Sequence, residues 1–162
     1  MTYALITTGG ELSFHEGEPD FEALLGPEGH ARVRLLSSFA MAGWVNDCGL
    51  MRPEKYPRNV VGSCVLTAFG AAIQPYAGPV AITGWNAGRA VPGLPEICSL
   101  PIVEASLMSV HADVHRALAG AQTQDLSPSW ADQIREIATY VRTAPTPGLT
   151  VTTVSVPRDG AS

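Results

Sequence analysis

The chain has 162 residues, a length that suits one domain with at most a small appendage. Apolar residues make up 46% of it, which fits a globular protein and excludes a disordered one. Charged residues are only 15%, with a net charge of −5; this mild acidic excess argues against general nucleic-acid binding and is too small to imitate a nucleic-acid backbone.

From the N-terminus, the β-rich run Tyr3 to Thr8 closes on Gly9-Gly10, and Glu11 to His15 follows at hairpin distance. Phe21, Leu24 and Leu25, three and four apart behind Asp20, predict a short helix with Asp20 as its cap. Between Ala31 and Leu36, Val33 and Leu35 alternate with Arg32 and Arg34, the pattern of a half-exposed strand. Met41 to Asn46 predicts another strand, ending in the turn-like Asp47-Cys48-Gly49.

A loop with Pro53 and Pro57 leads to Asn59, the expected cap of a buried helix carrying Val61, Val65, Ala68 and Phe69. Pro75 and Gly78 break it, and Pro79 to Trp85 reads as a strand returning to the sheet. The glycine- and proline-rich stretch from Trp85 to Pro95 reads as a linker. Beyond it, Val103, Leu107, Val110, Val114 and Leu118 form one apolar helical stripe, with Ile97 to Val103 open to a strand reading. A further helix is expected to carry Trp130, Ile134, Ile137 and Val141 on one face, then an edge strand over Leu149 to Val156. The expected fold is α+β: a small mixed, mostly antiparallel sheet packed against two to four helices. Residues 1–90 make its core, and 91–162 a mainly helical part on the same core that ends in a strand.

Cys48, Cys64 and Cys98 form no C-x-x-C pair and read as reduced thiols. No secretion signal is legible at the N-terminus, and no apolar run reaches the roughly 18–20 residues that cross a bilayer, so a cytoplasmic protein is expected.

The stretch from Trp44 to Trp85 carries Trp44-Val45-Asn46-Asp47-Cys48-Gly49-Leu50, then Tyr56-Pro57-Arg58-Asn59, and closes on Val80-Ala81-Ile82-Thr83-Gly84. It resembles the bacterial, plasmid and phage family catalogued as domain of unknown function thirty-eight forty-six. Asn46, Gly49, Pro57, Asn59 and Gly84 occupy the places of that family's N-x-x-G, P-x-N and closing-strand motifs. Met51 to Lys55 stand where the family has a compact link. The resemblance implies a setting among mobile elements and their hosts and carries no settled activity.

Candidate site residues gather in the same stretch. Asn59 reads first as a helix cap. The same helix N-terminus, with Arg58, Lys55 and Arg52 beside it and Gly62 and Ser63 in its first turn, has the makings of an anion site. Trp44 and Trp85 end strands expected to be neighbours, either covering the sheet or walling a pocket beside Asn46 and Arg58. The ligand-binding set is therefore Trp44, Asn46, Arg58, Asn59, Ser63 and Trp85. Asp47 is the candidate catalytic base, though a turn carboxylate ordinarily bonds its own backbone. His111 and His115, one helical turn apart, have metal-gripping spacing, with Glu104 or His30 as a conceivable third donor. The glutamate of the zinc-protease motif is replaced by Ala112, and two partly exposed histidines flanking a stripe remain the plainer reading. Cys64 reads as core, and the acidic run Glu16, Glu18, Asp20, Glu22 and Glu28 as a solvated face.

No metal and no cofactor is assigned. The favoured expectation is a non-catalytic accessory module, linked to mobile elements, that engages an anionic ligand or a protein partner. The alternative is a small enzyme on an anionic substrate, with Asp47 as base and Arg58 as anion holder.

Overall fold

The computed structural model describes residues 1–36, 40–86, 95–100 and 104–121. The first hairpin is β1 (Thr2–Ile6) and β2 (Leu12–Glu16), joined through Gly10 in a left-handed conformation (φ 87°). Helix α1 (Phe21–Leu25) starts where Asp20 accepts a hydrogen bond from the Ala23 amide at 3.1 Å. Strands β3 (His30–Arg34) and β4 (Met41–Asn46) follow, then a 3-10 turn at Gly49–Met51 and helix α2 (Val60–Ala68). Strand β5 (Val80–Trp85), the two-residue β6 (Ile97–Cys98) and helix α3 (Glu104–Ala121) complete the described elements. The expected helix around Trp130 and the strand over 149–156 lie outside the described residues, as do 87–94 of the linker.

The strands form one antiparallel sheet in the order β2-β1-β5-β4-β3, with β6 also on β5. The fold is thus α+β, a mostly antiparallel sheet with three α-helices among the described residues, within the two to four expected. Among the described residues no helix is long and apolar enough to cross a membrane.

Helix α2 supplies the centre of the main core. Eight of its nine residues are buried, and its Val61, Cys64, Val65 and Leu66 pack with Ile6, Val33, Val45, Val80 and Ile82 from the sheet. At about 1.5–3 kcal/mol for each large aliphatic side chain removed from water, this helix is the main apolar anchor of the sheet. Gly43 allows the close approach: a Cβ there would lie 2.7 Å from Leu66 Cδ2. Helix α3 covers α2 through Leu107 and Val114, both fully buried on the expected stripe.

The opposite face carries a second cluster of Leu25, Ala42, Trp44 and Ala81, covered by α1 and flanked by Phe21, Trp85 and Ile97. Side-chain alternation along β4 therefore sends Gly43 and Val45 toward α2, and Ala42, Trp44 and Asn46 away from it.

Candidate functional site

Strand parity separates the residues grouped from the sequence. Trp44, Asn46 and Trp85 belong to the α1 face, whereas Asn59 and Ser63 belong to α2 on the other side of the sheet. The expected cleft shared by all six is not formed. Trp44 and Trp85 are neighbours, as predicted, with ring centroids 6.0 Å apart in an edge-on arrangement. The space around them is filled: Phe21 lies 4.8 Å from Trp44, and the Arg32 guanidinium sits 4.2 Å over the Trp85 ring. Trp44 is only 7% exposed and donates its indole N–H to Thr83 Oγ1 at 2.9 Å. The pair covers the sheet face rather than walling a pocket.

Asn59 is fully buried and does more than cap. Its Oδ1 accepts from the Gly62 amide at 2.8 Å, while Nδ2 donates to Gly78 O at 3.0 Å and Ile6 O at 3.1 Å. Ser63 Oγ donates to Asn59 O at 2.6 Å and accepts from the Tyr76 amide at 2.8 Å. These groups are committed to joining α2 with β1 and the 76–78 segment, which removes the reason to place an anion among them. Arg58 is exposed just before α2, its backbone bridged to Ala77.

Two of the three basic residues expected around α2, Lys55 and Arg52, serve a carboxylate of the chain itself. Lys55 Nζ lies 2.6 Å and Arg52 Nη1 3.2 Å from Glu28 Oε1; Tyr56 Oη and Asn46 Nδ2 donate to Glu28 Oε2. The Lys55 ammonium, followed by the Tyr56 hydroxyl, holds the Glu28 carboxyl down from 4.5 to about 2. Asn46 also donates to Leu25 O at 2.9 Å and accepts from the Cys48 amide at 2.9 Å. Together these bonds fasten the 48–56 loop to the α1–β3 turn. Its sequence neighbours place Glu28 on a solvated acidic face, yet its side chain is 13% exposed and fully engaged.

What the loop helps to build is a groove along β3, the last strand of the sheet. It has a volume of about 350 Å³ and is lined by Ala31, Val33, Val45, Leu50, Tyr76 and Ala77, with Asp47 and Gln74 among its polar members. Asp47 is exposed there, its backbone N–H donating to Gly29 O at 3.1 Å.

That backbone bond also sets the orientation of the strand edge. Gly29 and Asp47 stand directly opposite each other in the register that pairs His30 with Asn46 and Ala31 with Val45. In an antiparallel ladder the hydrogen-bonding residues alternate, so Ala31 and Val33 bond β4 while the N–H and C=O groups of His30, Arg32 and Arg34 point outward. Among the described residues no strand pairs with that outer edge.

Exposed apolar side chains occur on segments that adjoin the groove residues in sequence. Leu36 (61% exposed) follows β3, Leu50 (51%) and Met51 (73%) belong to the 3-10 turn, and Ile73 (42%) lies between Ala72 and Gln74 of the groove wall. Sequence reasoning missed the groove because its walls come from three separated segments; the available signal was the Arg32/Val33/Arg34/Leu35 alternation of a strand with one open side.

No family model, curated protein or solved structure matches the chain.

Proposed function

We propose that the protein is a non-catalytic binding module that captures an extended segment of a partner protein by adding it as a strand to the outer edge of β3. The observation that carries this reading is the row of outward backbone groups at His30, Arg32 and Arg34 beside an apolar groove. Main-chain hydrogen bonds along the edge supply sequence-independent affinity, and alternate side chains of the added strand supply specificity. One set would drop into the groove beside Val33, Val45 and Leu50, and is apolar. The other would stand beside the exposed Arg32 and Arg34 on the opposite face, and is acidic. The partner motif is therefore an alternation of aliphatic and acidic residues. On the resemblance carried by Asn46, Gly49, Pro57, Asn59 and Gly84, we place the module among cytoplasmic accessory proteins of mobile elements.

The test is a titration of the full chain with a fluorescently labelled, end-blocked peptide alternating valine and glutamate, followed by anisotropy. Saturable binding is expected, weakened at least about tenfold when lysine replaces glutamate, since like charges would then face each other. Arg32→Pro removes an outward N–H without touching the β4 ladder, which an edge strand tolerates. That variant should stay folded and lose the peptide. Undiminished binding by folded Arg32→Pro would overturn the reading, and so would failure of the parent chain to bind. A concentration-dependent mass with β3 at the contact would make a second copy of the chain the occupant instead.

A further inference from the structure

Helix α3 and the β1–β2 turn meet at a cluster that the docking reading does not use. His111 Nε2 lies 2.7 Å and His115 Nε2 lies 2.9 Å from the carbonyl oxygen of Gly10, and the two Nε2 atoms are 3.2 Å apart. The left-handed φ of Gly10 and the packing of Val61, 2.7 Å from where a Cβ would stand, hold that peptide against the helix. Three lone-pair-bearing atoms thus converge from a rigid turn and from one helix face.

Protons do not satisfy all three contacts at once. A carbonyl oxygen only accepts, and a neutral imidazole nitrogen either donates or accepts. If both Nε2 atoms donate to the two lone pairs of Gly10 O, the 3.2 Å contact between the nitrogens holds no proton. If one histidine donates to the other, the accepting nitrogen turns a lone pair toward the Gly10 oxygen, lone pair against lone pair. A cation at the centre uses all three contacts, because each atom can then act as a ligand. The size agrees: for a triangle of these sides, a point about 2.1 Å from every corner, the usual Zn–N distance, lies about 1.2 Å out of its plane.

We propose that His111 Nε2, His115 Nε2 and the Gly10 carbonyl bind one imidazole-seeking divalent transition-metal ion of the zinc class. Two histidines at i and i+4 provide the imidazole nitrogens of the donor set, and water completes the shell. Among the described residues no third His, Cys, Asp or Glu joins them. The third donor conceivable from the sequence, His30, is on the other sheet face beside Phe21 and Trp44. The ion would clip the first hairpin to α3, and the proposal is independent of the peptide edge at β3.

Zinc titrated calorimetrically into the full chain, with exposed thiols alkylated beforehand, tests it. One saturable equivalent is expected. His115→Ala, at an exposed position, and His111→Ala should each weaken binding by about tenfold or more. Zinc should also slow amide exchange at Gly10 and Glu11 in the parent chain and in neither variant. Absence of saturable binding overturns the site, as does equal binding by folded parent and His115→Ala. Binding that leaves exchange at Gly10 unchanged likewise rejects the carbonyl ligand.

Discussion

Asn59, at the start of α2, donates a hydrogen bond from Nδ2 to the carbonyl oxygen of Ile6 in β1, at 3.1 Å and across 53 positions of sequence. The same nitrogen reaches Gly78 O, so one carboxamide caps a helix and ties it to two other segments. Asp caps helices as well as Asn does, but an aspartate here would set a buried negative charge against two carbonyl oxygens. Asn59→Asp is expected to destabilise the protein by roughly 3–5 kcal/mol, the cost of an uncompensated buried charge. Asn59→Ser, which keeps a capping oxygen but loses both donations, is expected to cost about 2 kcal/mol. Urea unfolding of the three proteins checks both values.

Glu28 gives the fold an acid dependence of predictable sign. Its carboxyl is held down to about 2 by Lys55 first and Tyr56 second. A depressed carboxylate stabilises the folded state above its unfolded pKa, and that contribution is lost as pH falls from about 4.5 toward 2. Glu28→Gln should flatten the urea midpoint across this interval relative to the parent chain. An unchanged slope would remove Glu28 from the acid response.

The three thiols should separate by reactivity. Cys64 lies in the core with no exposure, and desolvation pushes its pKa up to about 12, so its reactive thiolate is scarce at neutral pH. Cys48 and Cys98 are half-buried. A disulfide reagent should titrate Cys48 and Cys98 in the native protein and reach Cys64 only on unfolding, as resolved by peptide mass mapping.

Much of the local structure was legible in the sequence because it is written in short-range chemistry. Asp20 and Asn59 cap the helices predicted for them, and the α3 stripe buries Leu107 and Val114 as its spacing requires. What sequence could not show is which face a residue of β4 occupies. All six residues Met41 to Asn46 are buried, so the period-two signal that distinguishes the faces of a half-exposed strand is absent. Sequence proximity therefore groups Trp44 with Asn59, although the sheet stands between them. The histidine pair shows the same boundary. Its spacing is visible along the helix, whereas the Gly10 carbonyl that completes the cluster comes from a turn about a hundred positions away.

The outward amides at the edge of β3 are the parts of the molecule on which the binding account stands. Residue-resolved hydrogen exchange on the full chain, with and without the valine–glutamate peptide, observes them directly. The account predicts that Arg32 and Arg34 amides exchange fast in the free protein while Ala31 and Val33 are protected by β4, and that peptide slows Arg32 and Arg34. Fast exchange at Arg32 and Arg34 that peptide leaves unchanged would contradict it, as would protection of both amides before any peptide is added.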